Sequence, residues 1–324
     1  METKHIDKKI PVVAVVGPTA SGKTALAVKL AQALNGEVIS ADSMQIYRGM
    51  DIATAKPTPA EMRGVRHHLI DFLPPTEEYS VKRFCDDALA AAQEISARGK
   101  TVIVCGGTGL YVDALLGRMI FEEEPDHSEV RASLQARLRT EGREVLIREL
   151  LAADPALENE IDLANDRRLL RALEIWRLTG EKPSARRRRA TEADTPFDPL
   201  YLGLFFRDRQ VLYDRISARV DRMLEAGLVE ETRAFYENPA SATAVAAIGY
   251  KELRPFLHGE MTLEQAVENL KTATRHYAKR QLTWFGRNDA LIRIYADAPD
   301  ASAAAAQALE EAEKFLLQRR RTDA

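Results

Sequence analysis

The run Gly17-Pro18-Thr19-Ala20-Ser21-Gly22-Lys23-Thr24 satisfies the pattern G-x-x-x-x-G-K-[ST], and its flanks constrain how the chain around it folds. Ile10 to Val16, just before it, is a short apolar run rich in β-branched residues and predicts a strand. Thr24 to Leu34, just after it, predicts a helix, with Leu26, Leu30 and Leu34 at i+4 spacing. A strand, a glycine-rich turn and a helix in this order cradle polyphosphate. Wrapped backbone N–H groups point inward, and the helix N-terminus adds the positive end of its dipole. Lys23 supplies a mobile cation, and Thr24 a hydroxyl suited to a bound Mg²⁺.

The alternation continues. Glu37 to Ser40 predicts a second strand, Val65 to Ile70 a weaker one, Ser80 to Arg98 a helix ended by Gly99, and Thr101 to Cys105 a buried strand. This predicts an α/β fold: a P-loop parallel-sheet core flanked by helices. An ordinary nucleotide hydrolase has another strand ending in an Asp that holds the Mg²⁺ shell. Here Thr101 to Val104 runs into Cys105-Gly106-Gly107, and only the weak Leu69-Ile70-Asp71 ends in an acid. That argues against ATP hydrolysis and for a different diphosphate-bearing substrate.

Residues 128–180 carry helical periodicity with almost no strand signal, and Thr179 to Pro199 reads as a linker rich in Arg, Pro and Thr. Leu200 to Phe206 returns as a strand, 208–236 and 262–285 are helical, and Leu291 to Tyr295 is a last strand. The Ala-rich stretch from Ala301 to Ala312 predicts a surface helix, with Arg319 to Ala324 frayed beyond it. The expected organisation is a core from residues 1–119, an all-helical insertion domain at 120–198, and a second core part at 199–324 carrying a basic helix at 262–287.

At 324 residues the chain can bury a sizeable core, and no apolar run approaches the ~20 residues of a spanning helix. Met1 to Lys9 lacks the apolar core of a signal peptide. Cys85 and Cys105 form neither a disulfide framework nor a zinc pattern and read as core residues. We therefore expect a reduced, cytoplasmic chain with no membrane partner and no obligate protein partner, monomeric in the absence of coiled-coil heptads.

Asp42 follows the second strand. In a parallel sheet the C-terminal strand ends gather on one edge, so Asp42 is expected near the cradle, either accepting a proton from a nucleophile or serving as a turn or cap residue.

Further segments stand in a fixed order behind the P-loop: Ala41-Asp42-Ser43-Met44-Gln45-Ile46-Tyr47, Gly49 to Pro57, His67-His68-Leu69-Ile70-Asp71 and Gly106-Gly107-Thr108-Gly109-Leu110-Tyr111. Asp166 to Glu174, Arg215 to Val220, Ile248-Gly249-Tyr250-Lys251-Glu252 and Lys279 to Phe285 continue the series. Over about residues 10–290 this ordered set resembles the tRNA dimethylallyltransferases, the bacterial tRNA isopentenyltransferase family.

The resemblance implies transfer of a dimethylallyl group from dimethylallyl diphosphate to the exocyclic N6 of the adenosine 3′-adjacent to the anticodon. Diphosphate leaves, and Mg²⁺ is the implied cofactor. Carried onto this sequence, Asp42 is the general base, and Thr19, Lys23, Thr24 and Arg219 complete the catalytic set. Gly17, Pro18, Thr19, Ala20, Ser21, Gly22, Lys23 and Thr24 hold the donor diphosphate, and Thr24 the metal. Asp42, Ser43, Met44, Gln45 and Thr108 face the tRNA, with Arg167, Arg168 and Arg171 from the insertion and Gly249, Tyr250 and Lys251 from the core. Lys279, Arg280, Gln281, Trp284 and Arg287 complete that surface. Ala246 departs from the family's basic residue before the Gly-Tyr motif, no zinc-finger spacing is present, and His67 and His68 have no evident chemical role.

The net charge, 46 − 49 = −3, hides an uneven distribution. Lys271 to Arg287 holds five Lys/Arg and no acid, and Asn165 to Arg189 nine against three acids. Lys271, Arg275 and Lys279 recur at i+4, one cationic stripe that Arg280, Trp284 and Arg287 extend. The acids cluster elsewhere, as at Glu122 to Asp126. Two basic surfaces suit an anticodon stem-loop whose target base is splayed out of its stack. The Arg186 to Arg189 run either grips phosphate or is linker. Three alternatives stand: an adenylate isopentenyltransferase acting on free nucleotide, a small-molecule kinase with ATP in the P-loop, and a non-catalytic RNA-binding protein.

Overall fold

The computed structural model describes residues 9–117, 128–192, 195–298 and 301–322. The polar N-terminal segment before Lys9 and the acidic Glu122 to Asp126 lie outside the described residues. Contacts divide the chain into two units, one of residues 1–116 with 195–324 and one of residues 117–194.

The first unit opens with β1 (Ile10–Val16), α1 (Lys23–Ala33), β2 (Gly36–Ser40), a short α2 (Pro59–Met62), β3 (His67–His68), α3 (Val81–Ala97), β4 (Thr101–Gly106) and α4 (Gly109–Leu115). The second unit holds α5 (Ser128–Glu141), α6 (Arg143–Ala153), α7 (Leu157–Glu160), α8 (Asp166–Thr179) and α9 (Pro183–Glu192). The chain then returns through β5 (Phe197–Phe205), α10 (Arg209–Glu225), α11 (Leu228–Tyr236), α12 (Ala242–Val245), α13 (Tyr250–Leu257), α14 (Leu263–Phe285), β6 (Leu291–Tyr295) and α15 (Ala301–Thr322).

All six strands are parallel, in the order β3-β2-β4-β1-β5-β6. β1 is central, and Val12 to Val16 are all 0 % exposed, which is why it reads as an unbroken apolar run rather than an alternation. Register sets the functional edge. Val16 pairs with Gly106 and Ser40 with Cys105, so β1, β2 and β4 end level. With β4 between them and strands ~4.8 Å apart, the chains leaving β1 and β2 stand about 10 Å apart.

Helices cover both faces of the sheet. α3 starts at Ser80, whose side chain accepts from the Arg83 amide, and buries Phe84, Ala88, Ala92 and Ile95 in the core cluster that also takes Val12, Ala14 and Val16. α1 packs Leu26, Ala27 and Leu30 on the opposite face with Val13, Val15 and Leu202.

Several sequence expectations are corrected. The supposed linker holds α9, opened by Pro183 at its first position; Asp154 accepts from both the amide and the hydroxyl of Ser184 at 2.8 Å. Phe197 to Pro199 already belong to β5. Pro199 is tolerated there because the β5–β6 ladder starts only at Tyr201, so its missing N–H forfeits no bond on that side. β3 shrinks to two residues, since Leu69 (φ 57°) and Asp71 (φ 54°) turn left-handed and end it. The stretch 208–236 is helical as expected, in two helices separated at Gly227 (φ 97°). α15 lies at the surface as expected, with one face packed inward, but it is not frayed at Arg319. Ala308 and Ala312 are fully buried, and Arg319 bonds Asp198 at 2.9 Å. Its alanines form a small-residue face that admits close approach to the sheet.

His68 finds a structural place beside Glu37. Glu37 is 2 % exposed, and its carboxylate meets His68 (2.7 Å), Arg98 (2.7 Å) and Lys100 (2.8 Å). Burial alone raises the Glu37 carboxyl, but the bonds from Lys100, His68 and Arg98 outweigh it and hold it at about 2.

Candidate active site

The P-loop leaves β1 with two left-handed residues on either side of Ser21: Ala20 at φ 61° and Gly22 at φ 87°. Gly22 adopts this without strain, whereas Ala20 stores some, as functional loops often do. Gly22 caps α1 with no side-chain bond to the first-turn amides, so those donors are not consumed by a side-chain cap. The Ser21 hydroxyl is buried and lacks a hydrogen-bond partner among the described residues. Lys23 Nζ donates to Pro18 O at 3.2 Å. Burial pulls the Lys23 ammonium below the ordinary lysine value; Cys105 and Asp42 oppose this, and Arg219 adds to it. These features suit a bound polyanion, which would return negative charge to Lys23 and an acceptor to Ser21.

Asp42 leaves β2 on the same edge. The Met44 amide donates to its Oδ1 at 3.0 Å, which fixes the turn. Its charge acts on Lys23, Arg219 and Tyr277, so the acid, the cradle and two residues from distant parts of the chain share one site. Thr108, after β4, accepts from the Ser43 amide at 3.1 Å, donates to Ser43 Oγ at 3.3 Å, and donates its own amide to Ala41 O at 3.2 Å.

The glycines around Thr108 are explained by close approach. A Cβ on Gly106 would meet Ala41 O at 2.1 Å, on Gly107 the Gln281 amide at 2.2 Å, and on Gly109 the Trp284 ring at 2.3 Å. Arg219 extends from α10 and donates to Thr19 Oγ1 at 3.1 Å. Burial pulls its guanidinium below the usual arginine value; Asp42 opposes this, and Arg222 adds to it.

The expected RNA-facing set divides. Lys279, Arg280 and Arg287 are exposed, and Arg280 lies over the Tyr277 ring at 5.6 Å. Lys251 is exposed near Glu252 (3.6 Å). In the second unit, Arg167 and Arg168 are exposed in the first turn of α8, where the Asn165 side chain accepts from both their amides. Cations there oppose the helix dipole, so helix stability does not account for them. Arg171 bonds the fully buried Glu174 at 3.2 Å.

Other members of that set point inward. Tyr250 is 0 % exposed and its hydroxyl donates to Glu231 at 2.9 Å. Gly249, at φ 115°, packs where a Cβ would lie 3.1 Å from that of Ala53. The Gln45 amide donates to Thr54 O and Ala55 O. Met44 is half-buried against the core. Gln281 is 4 % exposed, and the Trp284 indole donates to Asp113 at 2.8 Å, so neither extends the cationic stripe. The start of that stripe is also corrected, because Lys271 is paired with Asp221 at 2.7 Å.

Sequence reasoning missed Glu231, which accepts from the amides of Asp51 (2.9 Å), Ile52 (2.7 Å) and Ala53 (2.9 Å) besides Tyr250. It also missed Tyr277. Burial, with the Asp42 charge adding to it, pushes its phenol above the usual tyrosine range, and the neighbouring Thr108 and Gln281 side chains pull the other way. The i, i+4, i+7 spacing of Tyr277, Gln281 and Trp284 along α14 was the available signal.

A parallel sheet whose edge carries a P-loop, an acid and a Gly-Gly-Thr-Gly loop defines a P-loop α/β protein. Known proteins narrow this. The family model described as IPP transferase matches residues 45–289. A tRNA dimethylallyltransferase of Shouchella clausii is 45% identical over 293 residues, covering 90% of this chain and 94% of the relative. One from Thermomicrobium roseum is 48% identical over 288 residues, 87% and 85% of the two chains. Among solved structures, a tRNA isopentenylpyrophosphate transferase from Bacillus halodurans superposes with a TM-score of 0.73 at 40% identity, covering 98% of this chain and 99% of the other. A eukaryotic dimethylallyltransferase, described as acting on tRNA, superposes at 0.78 with 32% identity, covering 93% and 77%. The chain belongs to the IPP transferase family and is a prenyl-transferring enzyme.

Proposed function

We propose that the chain transfers a dimethylallyl group from dimethylallyl diphosphate to the exocyclic N6 of the adenosine 3′-adjacent to the anticodon in tRNA, releasing diphosphate. The observation that carries the reading is that the level ends of β1 and β2 place the P-loop and Asp42 on one sheet edge, where Arg219 reaches the P-loop to donate to Thr19 Oγ1 at 3.1 Å. The relatives' activity on tRNA agrees with it.

The amine is a weak nucleophile because its lone pair is delocalised into the ring. Asp42 accepts its N–H and raises the electron density on nitrogen. The N6–C1 bond forms as the C1–O bond to diphosphate breaks, and the amine proton passes to Asp42. Charge grows on the leaving diphosphate, where the P-loop amides, Lys23 and Arg219 strengthen their hold in the transition state. Thr19 keeps Arg219 aimed at that group.

No group of three or more His, Cys, Asp or Glu able to hold a metal occurs among the described residues. A hydroxyl beside a diphosphate suits Mg²⁺, which keeps several waters and takes phosphate oxygens as ligands. Thr24 would hold the ion, which when bound neutralises charge on the leaving group. The exposed Arg167, Arg168, Lys279 and Arg280 would take the phosphates of an anticodon stem-loop, and Lys251 and Arg287 would add to them. No helix among the described residues is long and apolar enough to cross a membrane, and the reading needs none.

The test is a transfer assay with labelled dimethylallyl diphosphate and Mg²⁺, offering an anticodon stem-loop with adenosine 3′ of the anticodon alongside free AMP. Label in the RNA alone is the expected result. Label in AMP, or ATP consumed without transfer, overturns the reading.

A further inference from the structure

We propose that Gln281 is a positioning residue that locks the donor cradle to the loop holding the acceptor side of the site. The inference rests on the function proposed above. Gln281 projects from α14, and its Oε1 accepts from the Thr19 amide at 2.8 Å while its Nε2 donates to Gly107 O at 2.9 Å. One 4 % exposed side chain thus ties together two loops that are distant in sequence.

Each tied loop carries chemistry. Thr19 accepts from Arg219 at 3.1 Å. Gly107 precedes Thr108, whose hydroxyl accepts from the Ser43 amide beside Asp42 at 3.1 Å. Gln281 is therefore the middle link between the guanidinium that faces the leaving group and the acid that faces the amine. It also decides which P-loop amides meet the anion, because the Thr19 N–H is turned to Gln281.

Only an amide fits this place, because the upper partner is a donor and the lower an acceptor. A carboxylate satisfies Thr19 but opposes Gly107 O; an alkyl chain leaves both orphaned in a dry site. The fit at Gly107 is tight enough that its own Cβ would lie 2.2 Å from Nε2. On α14 the exposed Lys279 and Arg280 lie within two residues of Gln281, so the RNA-facing side of the helix and the cradle share one rigid element.

The test uses Gln281→Glu and Gln281→Leu in the full chain, with thermal unfolding as the check on folding. For Gln281→Glu at pH 8 we expect turnover to fall about a hundredfold while stem-loop affinity changes less than twofold. A protonated glutamic acid again offers one donor and one acceptor. The activity of Gln281→Glu relative to the native enzyme should therefore recover at least tenfold between pH 8 and pH 6; that of Gln281→Leu should not. Taking the ratio removes titrations common to both proteins. Weakened RNA binding with unchanged turnover would make Gln281 an RNA contact and overturn the proposal, as would a ratio independent of pH. Two readouts need no acceptor. Gln281→Leu should speed hydrogen exchange at the Thr19 amide and weaken inorganic diphosphate binding at least fivefold. If RNA is not the acceptor these two effects persist, so failure of the functional reading and failure of this one are distinguishable.

Discussion

Glu231→Ala tests how the segment after Asp42 is held. The carboxylate serves three consecutive amides, Asp51 to Ala53, and the Tyr250 hydroxyl. The Asp51 residue is exposed, so its amide rehydrates and costs little. The Ile52 and Ala53 amides are partly buried, and Tyr250 is fully buried. Each of these three donors, left without an acceptor, costs ~1–3 kcal/mol, with the lower end apt for the amides. The expected loss is about 3–5 kcal/mol. Tyr250→Phe removes one donor and leaves the carboxylate with three, so it should cost only about 1 kcal/mol. In the Glu231→Ala background the same change should be neutral or stabilising, because it deletes an orphaned hydroxyl. Urea denaturation of the four proteins of the cycle measures this. A Glu231→Ala loss below about 1 kcal/mol refutes the reasoning. So does a Tyr250→Phe cost that is the same in both backgrounds.

The remaining predictions concern the acid, the RNA surface and the buried carboxylate. Asp42→Ala should leave stem-loop binding nearly intact and lower single-turnover transfer by about a hundredfold or more, the scale of a lost general base; native-like turnover would remove Asp42 from the mechanism. Replacing Lys279 and Arg280 with Ala should weaken RNA binding and flatten the log–log salt slope by about 1.4, at ~0.7 per phosphate contact on a single strand; an unchanged slope would mean neither touches phosphate. The Glu37 carboxyl is held at about 2, against 4.5 unperturbed. Because the folded value is the lower, its contribution of about 3 kcal/mol is present above pH ~5 and is lost as the pH falls toward 2. The stability gap between the native protein and Glu37→Gln should accordingly shrink to less than half near pH 3, and a gap that stays constant with pH would count against the assignment.

Much of the core was legible because apolar periodicity reports burial directly. β1 and β6 begin and end where their residue types predict, and α1, α3, β4 and α14 do so within a residue. α9 was missed because PSARRRRATE has no apolar face to read. The inward face of α15 was not legible because alanine carries no strong hydrophobic signal, yet Ala308 and Ala312 are fully buried. The P-loop and Asp42 could be found from type and spacing alone. Gln281 and Glu231 could not, because a polar side chain looks the same in sequence whether water or a backbone amide from a distant segment satisfies it. The tRNA-facing expectation went astray at Tyr250 and Gln281 for that reason: residues near an RNA-binding surface and residues pointing at it share the same segment.

The register of the central strand has a consequence for biosynthesis. Ile10 pairs with Phe197, so β1 waits for a neighbour made about 190 residues later. At ~5–20 residues per second that interval lasts about 10–40 s, during which β1 presents an apolar, unpaired border to solvent. The helices of 117–194 are synthesised in that window, and their Leu134, Leu146, Leu150 and Leu169 cluster is built from local contacts, so they can fold while the sheet remains open. A ribosome stalled between the two strands would hold a nascent chain with a complete P-loop and acid but neither Arg219 nor Gln281. Such a chain is a candidate for chaperone capture rather than for premature reaction with the donor.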